Sequence, residues 1–275
     1  MKFGLLGHPL GHSMSPFIHS QLFKLAGVDG VYDLYDIFPQ DLSSKKDLLF
    51  DLDGFNVTIP YKKQIISYLD CLDQSAGRYN SVNVVKTGDK NIGYNTDVVG
   101  FLKSVQSLGA TLDGKVLMLG CGGVAQMMGA ESVLAGGSLT IAVRDANSQK
   151  VKDLVSLLKG IKTNAKIDVV DIKNISGSFD ILLNATSVGM HPNVDESPVS
   201  EQVVANCKYL FDAIYNPKQT LLAKYAHKHN LAYMTGMEML VRQAAEAQTI
   251  WFDAHFDEKD IKELIEKANF YMENK

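Results

Sequence analysis

The sequence predicts an α/β protein of two domains, followed by helices at the C-terminus. Hydrophobic stretches with the period of a strand alternate with stretches of helical period, and this alternation favours a mainly parallel sheet. The composition changes at 109–114, where a second series of α/β units begins. From Met237 onward the pattern predicts two helices and no strand. At 275 residues the chain is long enough to form two hydrophobic cores.

The first hundred residues predict three strands, a hairpin and several helices. Ser15 is a natural N-cap and Pro16 suits the first turn, so a helix is expected from Pro16 to about Ala26. Further helices are expected near 41–50 and 96–108. Pro60 cannot donate a ladder hydrogen bond, so it should end the third strand and allow a helix to start. The predicted strands of this part are 2–7, 31–37, 54–59, 82–86 and 91–94.

The second part predicts a regular alternation of strands and helices. Its predicted strands are 115–119, 138–143, 166–171, 180–184, 209–213 and 231–235. Helices are expected near 124–134, 148–158 and 219–229. The predicted domains are therefore 1–104, 105–236 and a C-terminal pair of helices at 237–275, which we expect to pack on the first domain.

Charge, hydropathy and cysteine content exclude several classes of function. A net charge of -4 and a pI of about 6.0 indicate no general attraction to nucleic acid or to an anionic membrane. No apolar run approaches the length that crosses a bilayer, and the N-terminus lacks a cleavable signal pattern. The odd, scattered Cys71, Cys121 and Cys207 favour free thiols in a reducing compartment, which predicts a cytoplasmic protein. The Cys and His spacings resemble no metal site.

A glycine-rich turn joins the strand 115–119 to the next helix. Gly120, Gly122 and Ala125 occupy the positions of the G-x-G-x-x-A dinucleotide fingerprint. Gly120 permits a tight turn, and Gly122 allows backbone amides to approach a pyrophosphate. The helix N-terminus that follows supplies further donors and a positive dipole. This context predicts a Rossmann-type dinucleotide-binding domain.

The end of the next predicted strand bears on the choice of cofactor. An acidic residue at this point favours the free 2′-hydroxyl of NAD, whereas an arginine accommodates the 2′-phosphate of NADP. Arg144 and Asp145 are adjacent here. Asp145 can instead cap the following helix and face away from the cofactor. The sequence therefore favours NADP and leaves NAD open.

Polar residues interrupt apolar surroundings at four other places. Thr58 and Lys62 follow the third strand, at the edge where open α/β sheets carry their sites. Asp97 follows the hairpin, and Gln243 lies on a largely apolar helix. Ser13 and Ser15 place hydroxyls beside a helix N-terminus, which suits a carboxylate. Each has an ordinary structural explanation when taken alone, such as a turn, a cap or a solvated side chain.

Together these segments resemble the shikimate dehydrogenases, a family that includes quinate/shikimate members. The resemblance extends over nearly the whole chain. The matching segments, in order, are 7–16, 55–62, 95–97, 120–123, 184–190, 215–217 and 239–245. The resemblance implies an NADP-linked, reversible reduction of 3-dehydroshikimate to shikimate in aromatic amino acid biosynthesis.

The resemblance also implies roles for individual residues. Lys62 and Asp97 would be the catalytic pair. The substrate carboxylate would be held by Ser13, Ser15 and Tyr215. The ring hydroxyls would be bound by Thr58, Asn83, Asp97 and Gln243. The cofactor would be bound by Gly120, Gly122, Gly123, Val124, Arg144, Asp145, Thr186, Gly236 and Met237, with the last two near the nicotinamide.

Two departures from the family pattern keep an alternative open. Val84 and Val98 stand where the family usually has threonine and glycine. With Asp145, they motivate an NAD-accepting quinate/shikimate dehydrogenase as the closest alternative. A non-catalytic nucleotide-binding sensor is a further alternative, because a fold alone does not establish a function. The sequence is equally compatible with a monomer and a homodimer.

Overall fold

The computed structural model describes residues 1–11 and 13–274. His12, which belongs to the motif at 7–16, and Lys275 therefore lie outside the described residues. The chain forms two compact units. Unit 1 consists of Met1–Gly100 together with Leu240–Lys275, and unit 2 consists of Phe101–Met239.

Unit 1 is built on a six-stranded mixed sheet. Its strands are β1 (Lys2–Gly7), β2 (Val31–Asp36), β3 (Gly54–Val57), β4 (Cys71–Leu72), β5 (Val84–Lys86) and β6 (Ile92–Tyr94). Their order across the sheet is β2-β1-β3-β5-β6-β4. β1 pairs in parallel with β2 and β3, whereas β5 pairs antiparallel with β3 and with β6. The predicted hairpin at 82–94 is therefore confirmed.

The helices of the first hundred residues follow the strands as expected, with one short helix in addition. They are α1 (Ser15–Ala26), α2 (Leu42–Phe50), α3 (Gln74–Tyr79) and α4 (Asp97–Ser107). α3 has an N-cap, Asp73, whose carboxylate accepts a hydrogen bond from the Ser75 amide. The six residues of α3 are too few for a helical period to show in the sequence, which is why no pattern predicts it.

Unit 2 is a doubly wound α/β domain. Its six strands are β7 (Lys115–Leu119), β8 (Ser138–Val143), β9 (Lys166–Asp171), β10 (Phe179–Asn184), β11 (Cys207–Asp212) and β12 (Ala232–Thr235). All pairings are parallel, in the order β12-β11-β10-β7-β8-β9. This is the strand order of dinucleotide-binding folds, so the predicted Rossmann-type domain is confirmed. Its helices are α5 (Gly123–Ala135), α6 (Gln149–Ile161), α7 (Glu201–Ala205) and α8 (Leu221–Lys228).

The two C-terminal helices return to unit 1, as expected. They are α9 (Gly236–Phe252) and α10 (Glu258–Glu273). Trp251 is buried against Phe3 of β1, with ring centroids 4.6 Å apart, and its indole N–H donates to the Val85 carbonyl over 2.9 Å. Phe17 of α1 stacks on Tyr271 of α10. The core of unit 1 therefore includes side chains from both ends of the chain.

Three local predictions are wrong. β3 ends at Val57, and Ile59, which was predicted to be the last residue of this strand, lies outside it and is 73% exposed. No α-helix starts at Pro60; a turn leads instead to a 3-10 segment at 64–68. Ser15 is the first helical residue of α1, and its predicted N-cap position belongs to Met14. The ladder of β3 with β5 ends at Asn56, and that with β1 ends at Val57.

Within 1–11 and 13–274, no helix is long and apolar enough to cross a membrane. Over the same residues, no cluster of three or more His, Cys, Asp or Glu side chains is placed to hold a metal ion.

Candidate active site

Lys62 and Asp97 form an ion pair in unit 1. The distance from Lys62 Nζ to Asp97 Oδ2 is 2.5 Å, and the side chains are 30% and 23% exposed. The pair is thus shielded from bulk water yet open to a small molecule. Such shielding strengthens its electrostatic interaction compared with a pair on the open surface.

Asn83 connects this pair to Gln243. Asn83 Nδ2 donates to Asp97 Oδ1 over 2.9 Å and lies 3.4 Å from Gln243 Oε1. The Thr96 amide donates to Asn83 Oδ1 over 2.7 Å, which fixes the orientation of the Asn83 amide. Gln243 Nε2 donates to the Leu240 carbonyl over 2.8 Å. Residues separated by 160 positions are thereby held in one polar network.

Local structure places both members of the pair. The Lys62 carbonyl accepts a hydrogen bond from the Val82 amide over 2.8 Å, which holds the turn after β3 against the chain that enters β5. Asp97 is the first residue of α4, and its amide donates to Asn95 Oδ1 over 3.1 Å. A carboxylate in the first turn of a helix is stabilised by the helix dipole. The arrangement suits a charged acid beside a cation.

Ser13, Ser15 and Thr58 also lie in unit 1. The Ser15 amide donates to the Ser13 hydroxyl oxygen over 3.2 Å, so the two serines form one turn at the start of α1. The Thr58 amide donates to the Leu6 carbonyl over 2.8 Å. A Cβ added at Gly7 would lie 2.5 Å from the Thr58 methyl carbon, so Thr58 packs closely on the end of β1.

In unit 2, the turn after β7 has the form that the fingerprint requires. Gly120 has a φ of +101°, a conformation that favours glycine. A Cβ at Gly120 would lie 3.0 Å from the Thr186 methyl carbon. A Cβ at Gly122 or Gly123 would meet nothing within 4 Å, and Gly122 precedes the first residue of α5. The space that these glycines leave open at a helix N-terminus fits a pyrophosphate.

Val124, Arg144 and Asp145 are exposed near the carboxyl ends of β7 and β8. The Asn147 amide donates to Asp145 Oδ1 over 3.0 Å. The N-cap of α6 is Ser148, so Asp145 stabilises the turn before the helix without being its cap. Its second carboxylate oxygen keeps its lone pairs for other donors.

A buried polar network orders the segment that carries Tyr215. Asn184 Nδ2 donates to Asp212 Oδ1 over 2.8 Å, and the Thr220 hydroxyl donates to Asp212 Oδ2 over 2.7 Å. Burial raises the pKa of Asp212, and hydrogen bonds from Thr220, from the Ile214 amide and from Asn184 oppose this rise. Burial also raises the pKa of Tyr215. The same Asn184 accepts hydrogen bonds from the Thr186 amide and hydroxyl, which connects the two segments after β10 and β11.

Position 236 requires a glycine because another segment of the backbone passes close to it. A Cβ at this position would lie 2.1 Å from the Ala213 carbonyl oxygen, and the Gly236 amide donates to the Ile214 carbonyl over 2.9 Å. Met237, the next residue, is buried. The start of α9 is therefore held directly against the segment after β11.

The predicted site residues thus fall into two groups. Unit 1 brings together Lys62, Asp97, Asn83 and Gln243 and separately pairs Ser13 with Ser15. The cofactor residues and Tyr215 belong to unit 2. Sequence reasoning missed the buried hydrogen bond from Tyr32 to Asn56, because nothing distinguishes Tyr32 from an ordinary strand tyrosine. Asn56 did give a signal, since an amide among the apolar residues of β3 needs a buried partner.

Known proteins resemble this chain in sequence over most of its length. Residues 5–85 match the model of the shikimate dehydrogenase substrate binding domain. A relative from Caldanaerobacter subterraneus, named shikimate dehydrogenase (NADP(+)), is 38% identical over 96% of this chain and 95% of its own length. Another with the same name, from Bacillus subtilis, is 35% identical over 90% of both chains.

Solved structures resemble the fold over its whole length. The chorismate mutase/shikimate 5-dehydrogenase fusion protein of Clostridium acetobutylicum superposes with a TM-score of 0.87 at 30% identity, over 100% of this chain and 98% of that one. Shikimate 5-dehydrogenase of Thermus thermophilus, solved with NADP(H) and shikimate, superposes with a TM-score of 0.84 at 27% identity, over 98% and 99% of the two chains. On the sequence identity, the matching length and the shared fold, this chain belongs to the shikimate dehydrogenase family.

Proposed function

We propose that this protein is an NADP-dependent shikimate dehydrogenase, which reversibly reduces 3-dehydroshikimate to shikimate. The observation that carries the proposal is the Lys62–Asp97 pair at 2.5 Å, held by Asn83 and Gln243 in a member of this family. A ligand-binding sensor has no need of a proton donor placed in this way. The reaction belongs to aromatic amino acid biosynthesis, and we propose a cytoplasmic location for it.

Unit 1 would hold the substrate. The Ser13 and Ser15 hydroxyls would donate to its carboxylate, with help from the Tyr215 hydroxyl. The ring hydroxyls would be bound by Thr58, Asn83, Asp97 and Gln243. Asn83 and Gln243 offer both donors and acceptors, which suits a polyol whose hydroxyls need both. The mutual hydrogen bonds of these amides would fix the donors and acceptors before the substrate arrives.

Lys62 would act as the general acid of the reduction. The carbonyl oxygen of the substrate gains negative charge as its carbon is reduced, and an ammonium group hydrogen-bonded to that oxygen stabilises the charge and supplies a proton. Asp97 would orient the Lys62 ammonium and accept a hydrogen bond from a neighbouring substrate hydroxyl. In the oxidation direction, the same lysine would take up the proton as general base.

Unit 2 would hold the cofactor, and its residues fit a dinucleotide. The pyrophosphate would lie on the open side of Gly120, Gly122 and Gly123, at the N-terminus of α5 beside Val124. When bound, the nicotinamide supplies or accepts the hydride. The remaining contacts that we propose are those of Arg144, Asp145, Thr186, Gly236 and Met237. Arg144 would hold the 2′-phosphate, because a planar guanidinium binds phosphate with two donors.

One observation favours a second candidate, an NAD-accepting quinate/shikimate dehydrogenase. Asp145 is exposed next to Arg144, and its Oδ2 has no part in the bond to the Asn147 amide. A carboxylate at this point would accept a hydrogen bond from the free ribose 2′-hydroxyl of NAD and repel a 2′-phosphate. The Asp145→Asn variant tests this contact. Asn147→Ala is its control, because alanine keeps the backbone amide that donates to Asp145.

Initial rates of reduced-nicotinamide formation test the proposal. Shikimate and quinate would each be assayed with NADP⁺ and with NAD⁺. Turnover of shikimate with NADP⁺ alone is the expected result. Comparable rates with NAD⁺ or with quinate would favour the second candidate. If the protein binds a cofactor but turns over none of these combinations of substrate and cofactor, the proposed enzyme activity is refuted and the nucleotide-binding sensor remains.

We propose that the protein is either a monomer or a homodimer. Neither state is needed to complete the residues named above, since all come from one chain. Sedimentation of the active protein at assay concentrations distinguishes the two.

A further inference from the structure

A buried asparagine joins the segments that follow β10 and β11 in unit 2. Asn184 is fully buried, and its Nδ2 donates to Asp212 Oδ1 over 2.8 Å. Its Oδ1 accepts hydrogen bonds from the Thr186 amide over 3.0 Å and from the Thr186 hydroxyl over 2.7 Å. Because a backbone amide only donates, the side-chain oxygen of Asn184 must face Thr186 and its nitrogen must face Asp212.

Asp212 holds Asn184 in this orientation. Asp212 is itself fully buried, and its Oδ1 also accepts from the Ile214 amide over 3.1 Å. Its Oδ2 accepts from the Thr220 hydroxyl over 2.7 Å. If the carboxylate turned away from Asn184, it would leave buried donors unsatisfied, which is costly. The Asn184 amide is therefore fixed at both of its ends.

The bonds of the Thr186 hydroxyl determine what it offers to a ligand. A hydroxyl has one hydrogen and two lone pairs. The hydrogen points to Asn184 Oδ1, and one lone pair accepts from the Val188 amide over 3.3 Å. The second lone pair remains for a donor, and the Thr186 side chain is partly exposed. To donate to a ligand instead, the hydroxyl would have to break its 2.7 Å bond with a buried oxygen.

Thr186 lies beside the turn where we propose the pyrophosphate. Asn184, two residues before it, is paired with Leu119 of β7, and a Cβ at Gly120 would lie 3.0 Å from the Thr186 methyl carbon. The strand order reverses between β10 and β7, and a dinucleotide crosses such a sheet at this point. Arg144, at the end of β8, is proposed for the adenosine ribose. The other half of the cofactor, which carries the nicotinamide, would therefore lie on the side of β10 and Thr186.

We propose that the Thr186 hydroxyl oxygen accepts a hydrogen bond from a hydroxyl of the nicotinamide ribose, and that Asn184 is the positioning residue that turns the Thr186 hydroxyl into an acceptor. This inference rests on the proposed function. The ionised pyrophosphate only accepts hydrogen bonds, so it is left to the backbone amides at the N-terminus of α5. A ribose hydroxyl can donate, which matches the remaining lone pair of Thr186.

A series of ligands tests which group Thr186 binds. NADP⁺ and 2′-phospho-ADP-ribose contain the second ribose, whereas 2′-phospho-ADP ends at the pyrophosphate. In calorimetric titrations, Thr186→Val should weaken binding of the first two about three- to tenfold, the size of one neutral hydrogen bond, and that of 2′-phospho-ADP by less than about twofold. Valine keeps a methyl group for the contact with Gly120. Thr186→Ser, which keeps the hydroxyl, should recover most of the affinity that the valine variant loses.

A double-mutant cycle shows whether Asn184 acts through Thr186. Asn184→Ala should weaken the two ligands that contain the second ribose and spare 2′-phospho-ADP, whereas damage to the fold of unit 2 would weaken all three. In a Thr186→Val background, Asn184→Ala should add almost nothing to this selective loss, since interacting residues are not additive. Ser132→Ala is the control: it removes another buried hydroxyl of unit 2, which donates to the Met128 carbonyl, and should leave the three affinities unchanged.

The outcomes separate the inference from the function it rests on. Wild-type protein that binds none of the three ligands and does not oxidise shikimate would refute the proposed function. Wild-type protein that binds NADP⁺, with unchanged affinity in Thr186→Val, would refute the inference alone. An equal loss for all three ligands in Thr186→Val would also refute it, because the hydroxyl would then act at the pyrophosphate or on the fold. If Asn184→Ala does not fold, the Thr186 variants and the ligand series still decide between these outcomes.

Discussion

At the scale of single residues, the proposed chemistry depends on a lysine, Lys62, that is neither fully exposed nor fully buried. Lys62 lies 2.5 Å from Asp97, whereas its neighbour Lys63 is exposed. Both follow the same proline in the sequence. The difference arises because the turn after β3 directs one side chain to the network of Asn83 and the other to solvent.

Lys62→Ala should lower kcat about 10²- to 10⁴-fold, the usual contribution of a positioned proton donor, and raise KM far less. Lys62→Arg should not restore the rate, because a guanidinium keeps its proton. Lys63→Ala is the matched control and should behave as the wild type. Steady-state rates of shikimate oxidation measure all three, and near-normal turnover by Lys62→Ala would remove this lysine from the mechanism.

A second residue, His19, should make stability depend on pH. Burial lowers the pKa of His19 from 6.5 to about 3. When the pH falls below about 6.5, His19 of the unfolded chain takes up a proton, whereas the buried ring of the folded protein does not. The free energy of unfolding therefore decreases as the pH falls from about 6.5 towards 3, by at most about 1.4 kcal/mol per pH unit.

His19→Asn should remove this dependence. Between pH 6.5 and 5, the wild type should lose about 1.6 kcal/mol more than the variant, measured by urea unfolding. His255→Asn is the control, since His255 is 79% exposed. Parallel pH dependences of the wild type and His19→Asn would contradict the prediction.

At the scale of elements, Gly236 and Gly122 each precede or begin a helix, but the structure needs a glycine at the two positions for different reasons. A side chain at position 236 would collide with the backbone, because an added Cβ would lie 2.1 Å from the Ala213 carbonyl oxygen. Gly122 has open space around it. The first glycine contributes to stability, whereas the second leaves room at the N-terminus of α5, where we propose the pyrophosphate.

Alanine substitutions should separate these reasons. Gly122→Ala should change stability by less than about 0.5 kcal/mol and weaken NADP⁺ binding about tenfold or more, which is about 1.4 kcal/mol. Gly236→Ala should destabilise the protein by roughly 1–3 kcal/mol through overpacking. Gly160→Ala, in α6 with nothing within 4 Å of its Cβ, is the control for cofactor binding. Calorimetric titration and thermal unfolding distinguish the three, and unaltered affinity in Gly122→Ala would sink the pyrophosphate assignment.

At the scale of the whole molecule, unit 1 depends on the far end of the chain. Trp251 covers β1, β3 and β5: it stacks on Phe3, donates to Val85, and leaves room for no side chain at Gly54. Gln243 completes the network of Asn83 from the same helix. The return of α9 therefore contributes both to the core packing of unit 1 and to the candidate site.

A chain truncated after Met239 should lose the fold of unit 1 and keep that of unit 2. Removing a buried tryptophan alone costs about 3–5 kcal/mol, against a total stability of about 5–15 kcal/mol. Hydrogen exchange should then show unprotected amides in β1 and β3 and protected ones in β7 and β10. The fragment 101–239 is the control and should unfold cooperatively. Protected amides throughout residues 1–100 of the truncated chain would contradict this view.

The sequence by itself determined the α/β class, the dinucleotide-binding second half and the presence of two C-terminal helices, whereas their return to the first domain was an expectation from topology. It did so because strand and helix periods, glycines and prolines act over a few residues. Lys62, Asp97 and Gln243 were identifiable because polar residues in apolar segments and a family resemblance both marked them.

Only the tertiary structure decided what lies between those segments. β3 ends at Val57, two residues before its predicted end, and the Tyr32 hydroxyl donates to Asn56, which is 24 positions away in sequence and 2.7 Å away in space. Contacts of this kind depend on which strands become neighbours. That choice is made by the packing of the whole chain, and no local pattern records it.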